Sequence, residues 1–143
     1  MKDITVRLEG VGLLLLSNKS KLLVLRELAA KPIIQKRKGM LTIPLETIER
    51  NESRSQALSR LLVEEVGIVK IYDLYQLRSF EFIHPDCKVN IHAFVARVDK
   101  EFIADPADDD VIHHGWMTPD QLIAHQHKRI EVDPIVRAYF EHF

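Results

Sequence analysis

Two adjacent carboxylates, Glu64 and Glu65, stand near the end of the run Arg60-Leu61-Leu62-Val63-Glu64-Glu65-Val66-Gly67-Ile68. The pattern predicts a helix over Arg54 to Val66 that stops at Gly67. The pair then lies in the last turn, where the helix dipole repels negative charge. With Leu61 at zero and about 100° per residue, Leu58 lies at about +60° and Glu65 at about +40°. Glu65 therefore falls within the apolar stripe of Leu58, Leu61, Leu62 and Val66. An unpaired charge there is costly, so it calls for an arginine, a lysine or a metal. Clustered carboxylates suit hard divalent ions such as Mg²⁺, which bring phosphate-bearing substrates with them. The competing reading is a solvated helix end, since surface Glu-Glu pairs are common.

Other side chains could add chemistry. His113 and His114 lie in a loop near Trp116, and histidine titrates near neutrality, so His114 is a candidate base. Lys31, Lys36, Arg37 and Lys38 form a basic loop that could meet phosphates or simply be solvated. Trp116 and Phe80 could stack on a base, although core packing is the alternative for both. No Cys/His spacing for zinc is present.

The elements that must position these residues read as an α/β chain. Val11 to Leu16 and Lys21 to Arg26 form strands joined by the turn Asn18-Lys19-Ser20. Met40 to Pro44 is a short strand. Ser53 or Ser55 caps the central helix. Strands over Lys70 to Tyr75, Leu77 to Ile83 and Val89 to Val98 follow, with His84-Pro85-Asp86 as a turn. Asp105 to Asp110 is a loop. Thr118-Pro119-Asp120-Gln121 starts one helix and Asp133-Pro134 another, whose apolar side is Ile135, Val136, Tyr139, Phe140 and Phe143. Helices then cover a mixed sheet.

Composition sets the outer bounds. The 143 residues suit one domain with a real core. Apolar residues make up 46% and charged residues 29%, with 20 basic against 21 acidic side chains. That balance gives no strong nucleic-acid signal and no general reason for membrane binding. Cys87 is the sole cysteine, which fits a reducing compartment. Val11 to Leu16 is too short to span a bilayer, and Met1-Lys2-Asp3 lacks a signal-peptide layout. The expectation is a cytoplasmic protein.

Around Glu64-Glu65 the chain resembles the Nudix hydrolase superfamily. Arg60 falls on the arginine of the family's box, Leu62 and Ile68 on its aliphatics, Gly67 on its closing glycine and Glu52 on its first glutamate. Gly39-Met40-Leu41-Thr42-Ile43-Pro44 is similar to the lead-in to that box. Trp116 with Thr118 to Leu122 is similar to its downstream segment. The resemblance implies a single Nudix-type α/β/α sandwich over residues 1–143, with a mixed β-sheet between helices. It also departs from the family pattern. Glu46 and Leu45 stand where glycines belong, Asn51 replaces a common glycine, and Leu61 replaces the glutamate after the box arginine.

The resemblance further implies metal ligands and a reaction. Glu64 and Glu65 would ligate Mg²⁺ or Mn²⁺, with Glu46 or Asp110 of the Asp108-Asp109-Asp110 run standing in for the carboxylate missing at Leu61. Glu49 is a more distant substitute. Glu52 and Arg60 would form a structural pair, and Arg26 would lie near the substrate. The activity implied is hydrolysis of a nucleoside diphosphate linked to another group. The alternative is an inactive domain that binds a nucleotide-like ligand as a sensor. A homodimer is compatible with the resemblance.

Overall fold

The computed structural model describes residues 5–67 and 69–142, with the side chain of residue 142 excepted. Ile68 and Phe143, to which the sequence assigns roles, lie outside the described residues. A seven-stranded mixed sheet is built around β1 (Val6–Leu16). The turn after β1, with Ser20 at φ 57°, returns the chain into β2 (Leu22–Glu27). Next come β3 (Leu41–Thr42) and β4 (Leu45–Thr47), which pair antiparallel with β2 and β1 respectively. Pro44 separates them and its carbonyl accepts from the Leu13 amide. The chain then enters α1 (Arg54–Leu61) and runs out along β5 (Tyr72–Ile83). β6 (Cys87–Arg97) returns beside it and lies parallel to β1, Val6 opposite Cys87 and Leu16 opposite Arg97. β7 (Val111–Met117) closes on β2, and α2 (Pro119–Ala124) and α3 (Val132–His142) end the fold.

Alternation along β1 and β2 sends side chains to both faces of the sheet. Leu14, Leu16, Leu22 and Val24 pack with Leu122, Ile135 and Val136 of α2 and α3. Leu13, Leu15, Leu23 and Leu25 pack with Ala57, Leu58 and Leu61 of α1. This is the expected sandwich, a mixed sheet between helices. Among the described residues no helix is long and apolar enough to cross a membrane.

Three local readings change. The strands expected at 70–75 and 77–83 are one strand, β5, whose pairing with β6 slips between Tyr72 and Tyr75 and again between Gln76 and Arg78. Each slip shifts the period-two pattern, so one bent strand reads as two. The supposed loop holding His113 and His114 is β7, where Val111 is buried while Ile112 and His114 are exposed. Its polar side chains belong to a half-solvated strand that pairs with β2. The central helix starts where expected, with Ser53 and Gln56 completing a capping box. Its last turn, Leu62–Val66, is widened into a π-helix.

Candidate functional site

The π turn and the loop that covers it create the site. In the widened turn the Gly67 amide donates to the Leu62 carbonyl at 2.7 Å, and Gly67 takes φ 107°, where a side chain would be strained. The free carbonyls of this helix end do not face water alone. Asp105 N–H donates to the Val66 carbonyl at 2.8 Å and Asp108 N–H to that of Glu64 at 3.0 Å. Paired carbonyls present less uncompensated negative charge to the neighbouring carboxylates. The same bonds bring the acidic loop to the end of the helix.

Arg60 is the hub of the outer face. It donates to both oxygens of Glu52 at 3.0 Å and to Glu64 at 3.0 Å. Glu46 and Glu49 approach it at 3.1 and 3.7 Å, and the Thr47 carbonyl accepts a further bond. Hydrogen bonds from Arg60 pull Glu52 down to about 2, helped by the Glu49 amide. The Glu52–Arg60 pair is thus present as a contact between the loop and the helix. Asn51, just before Glu52, takes φ 65°, a conformation asparagine tolerates.

Glu65 turns the other way. It is 7% exposed, as the helical wheel requires, and its Oε2 has no hydrogen-bond partner. Burial pushes its carboxyl up to about 9, and the negative charges of Glu46, Glu27 and Asp108 add to the rise against Lys36. Glu46, on β4, is half-buried and its Oε2 also lacks a partner. Burial and the neighbouring Glu64 raise it to about 7, with Arg60 opposing. Both carboxyls line one cavity of about 160 Å³. Asp108, Asp110, Glu27, Lys36 and Arg129 line the same cavity.

The cavity fits a cation in a specific and limited way. Among the described residues no group of three His, Cys, Asp or Glu side chains stands ready to hold a metal. Glu64 is engaged by Arg60, and Leu61 is wholly buried in the apolar cluster with Val11, Leu13 and Leu58. A three-carboxylate site is therefore not formed. Yet Glu46 and Glu65, which line one cavity, each carry a buried oxygen with no hydrogen-bond partner. Mg²⁺ keeps several waters and needs only one or two carboxylates plus substrate phosphates. The residues fit one such ion.

Several expected site residues lie elsewhere. Arg26, Arg37, His114 and Trp116 are not among the residues lining the cavity. Arg26 and Arg37 are exposed. The His114 ring stands 6.5 Å from that of His125, and burial, Arg26 and His125 lower its pKa. Trp116 donates its indole N–H to the Phe102 carbonyl at 2.7 Å and packs edge-on against the Phe102 ring. Replacing Trp116 with phenylalanine is expected to cost about 1 kcal/mol of stability through that lost bond. Ligand affinity should not change; a tenfold loss in a titration would return Trp116 to the site.

Of the basic loop named from the sequence, Lys31 and Lys36 do line the cavity, whereas Glu27 and Arg129 were not anticipated there. Glu27, next to Arg26, is buried by strand alternation, and burial raises its pKa against Arg129 and Lys36. Strand alternation was the one signal that could have found it. Arg129 lies in a segment pinned to β3, its amide donating to the Leu41 carbonyl at 3.0 Å. No local pattern announces that pairing.

Comparison with known proteins gives a consistent result. The family model described as NUDIX domain matches residues 6–139. No curated protein matches. Among solved structures, a NUDIX hydrolase from Nitrosomonas europaea is similar at 20% identity and TM-score 0.75, covering 95% of this chain and 90% of that one. The MutT protein from Methanosarcina mazei Go1 is similar at 19% identity and TM-score 0.73, with 96% of each chain covered. The NUDIX domain of Shewanella oneidensis NrtR, complexed with ADP ribose, is similar at 16% identity and TM-score 0.72, covering 96% and 89%.

Proposed function

The chain belongs to the Nudix family, and from that premise we propose that it hydrolyses a phosphoanhydride bond in a nucleoside diphosphate linked to another group, using one divalent cation at an altered site. Nudix proteins generally use divalent cations. The observation that carries the reading is the pair of unpartnered buried oxygens, Glu46 Oε2 and Glu65 Oε2, at one cavity. Those two side chains would hold Mg²⁺ or Mn²⁺. When bound, such an ion neutralises phosphoryl oxygens and acidifies water. Arg60 keeps Glu64 and Glu46 in place from behind. Asp108 stands beside Glu65 through its backbone bond to Glu64 and adds negative charge to the same wall. The ADP ribose held by the NrtR domain supports a nucleotide-like ligand for this one.

A second reading is favoured by Leu61. Its side chain is fully buried among apolar residues where the family pattern carries a glutamate. A domain with this change would bind the ligand and leave it intact. One assay separates the two. Wild type and Glu65→Gln are incubated with nucleoside diphosphate-linked compounds and Mg²⁺ or Mn²⁺, and product and binding are both measured. The hydrolase reading expects turnover that falls about 10²-fold or more in Glu65→Gln. Binding by the wild type with no product in either metal would establish the second reading instead.

A further inference from the structure

Arg129 presents an unusual arrangement. Its side chain is 10% exposed, and its buried Nε has no hydrogen-bond partner. Its contacts among the described residues are ion pairs, 3.7 Å to Glu27 and 3.3 Å to Glu131. A guanidinium carries five N–H donors, and a single buried one left without a hydrogen bond is costly. Lys36 stands nearby, 11% exposed, with its ammonium 3.1 Å from Glu27. Glu27 thus pairs with two cations that line the cavity.

Both residues sit on backbone that is tied down, and their side chains are held by ion pairs to Glu27 and Glu131. The Arg129 amide bonds to Leu41 on β3. Lys36 closes a turn in which its amide and that of Lys31 exchange bonds at 3.2 and 2.9 Å. Fixed donors lose little freedom on binding. Glu46, Glu65 and Asp108 line the same cavity as these two cations, so its lining carries both signs of charge. A group that meets both signs of charge is an oxyanion that also carries a metal. The planar fork of arginine matches phosphate oxygens two at a time.

We infer that Arg129, backed by Lys36, grips a phosphoryl group of the ligand directly, without an intervening metal. The inference rests on the phosphoanhydride reading of the cavity and assigns its anion-binding half to two residues. It predicts binding that survives removal of divalent ions.

Inorganic pyrophosphate in excess EDTA is the probe, followed by titration calorimetry. Wild type should bind it. Arg129→Gln should weaken that binding about tenfold or more, with Arg129→Lys between the two. Glu65→Gln should lose the gain that Mg²⁺ adds. Wild type that fails to bind pyrophosphate in EDTA overturns the inference, as does a folded Arg129→Gln within about twofold of wild type. If Arg129→Gln does not fold, Lys36→Met decides. It should weaken metal-free binding about fivefold, and unchanged affinity overturns the inference. Turnover plays no part in these titrations, so loss of the hydrolase reading would leave their outcome intact.

Discussion

Replacing Arg60 with methionine is expected to lower the melting temperature by roughly 5–10 °C at pH 7. The side chain faces Glu46, Glu49, Glu52 and Glu64 within 4 Å, and among the described residues no other cation pairs with them. Removing one partner of a buried pair typically costs about 3–5 kcal/mol. Arg60 is 21% exposed, so solvent screening reduces this to about 2–3 kcal/mol. Acid should narrow the gap. Glu52 is depressed to about 2 in the folded protein against an ordinary value of 4.5. Its contribution is complete above 4.5 and disappears as the pH falls toward 2. Calorimetry of wild type and Arg60→Met at pH 7 and pH 3 checks this. A loss under about 2 °C at pH 7, or an equal loss at both values, would show that Arg60 is not the hub of the face.

The helix that carries this face was legible because several local signals agree. Ser53 and Gln56 cap it, Gly67 ends it, and the wheel placed Glu65 inside. Such agreement between levels is what makes a segment readable. The widened last turn was not readable, because it depends on amides from residues 105–108, far along the chain. Lys36 was named as a residue that could meet phosphates, but its meeting with Glu27 and Arg129 was illegible for the same reason. Lys36, Glu27 and Arg129 meet only when β2, the turn after it and the segment before α3 are folded together. β7 was missed because its exposed face carries Ile112 and His114, which break the simple alternation of polar and apolar. Leu61 illustrates a subtler point. The sequence placed it both in the apolar stripe and on the metal face, and the fold resolves that conflict in favour of the core.

Glu65 is where function should oppose stability. In metal-free protein its carboxyl is raised to about 9 against 4.5 in the unfolded chain. Between those values the folded state keeps a proton that the unfolded state releases. Stability is therefore undiminished below pH 4.5 and declines as the pH rises toward 9. At pH 7 the penalty is up to roughly 3 kcal/mol. Glu65→Gln cannot ionise, so in EDTA it should melt higher than wild type by roughly 5–10 °C at pH 7 and about equally at pH 4. Mn²⁺ should then reverse the order of advantage, raising the wild type by linkage and leaving the Gln variant unmoved. A wild-type melting temperature that is flat from pH 5 to 8 in EDTA would remove the argument. So would a Gln variant that Mn²⁺ stabilises as much as it does the wild type. A buried carboxyl that weakens the empty protein, and regains that stability only with a cation, is the expected mark of a side chain kept for binding.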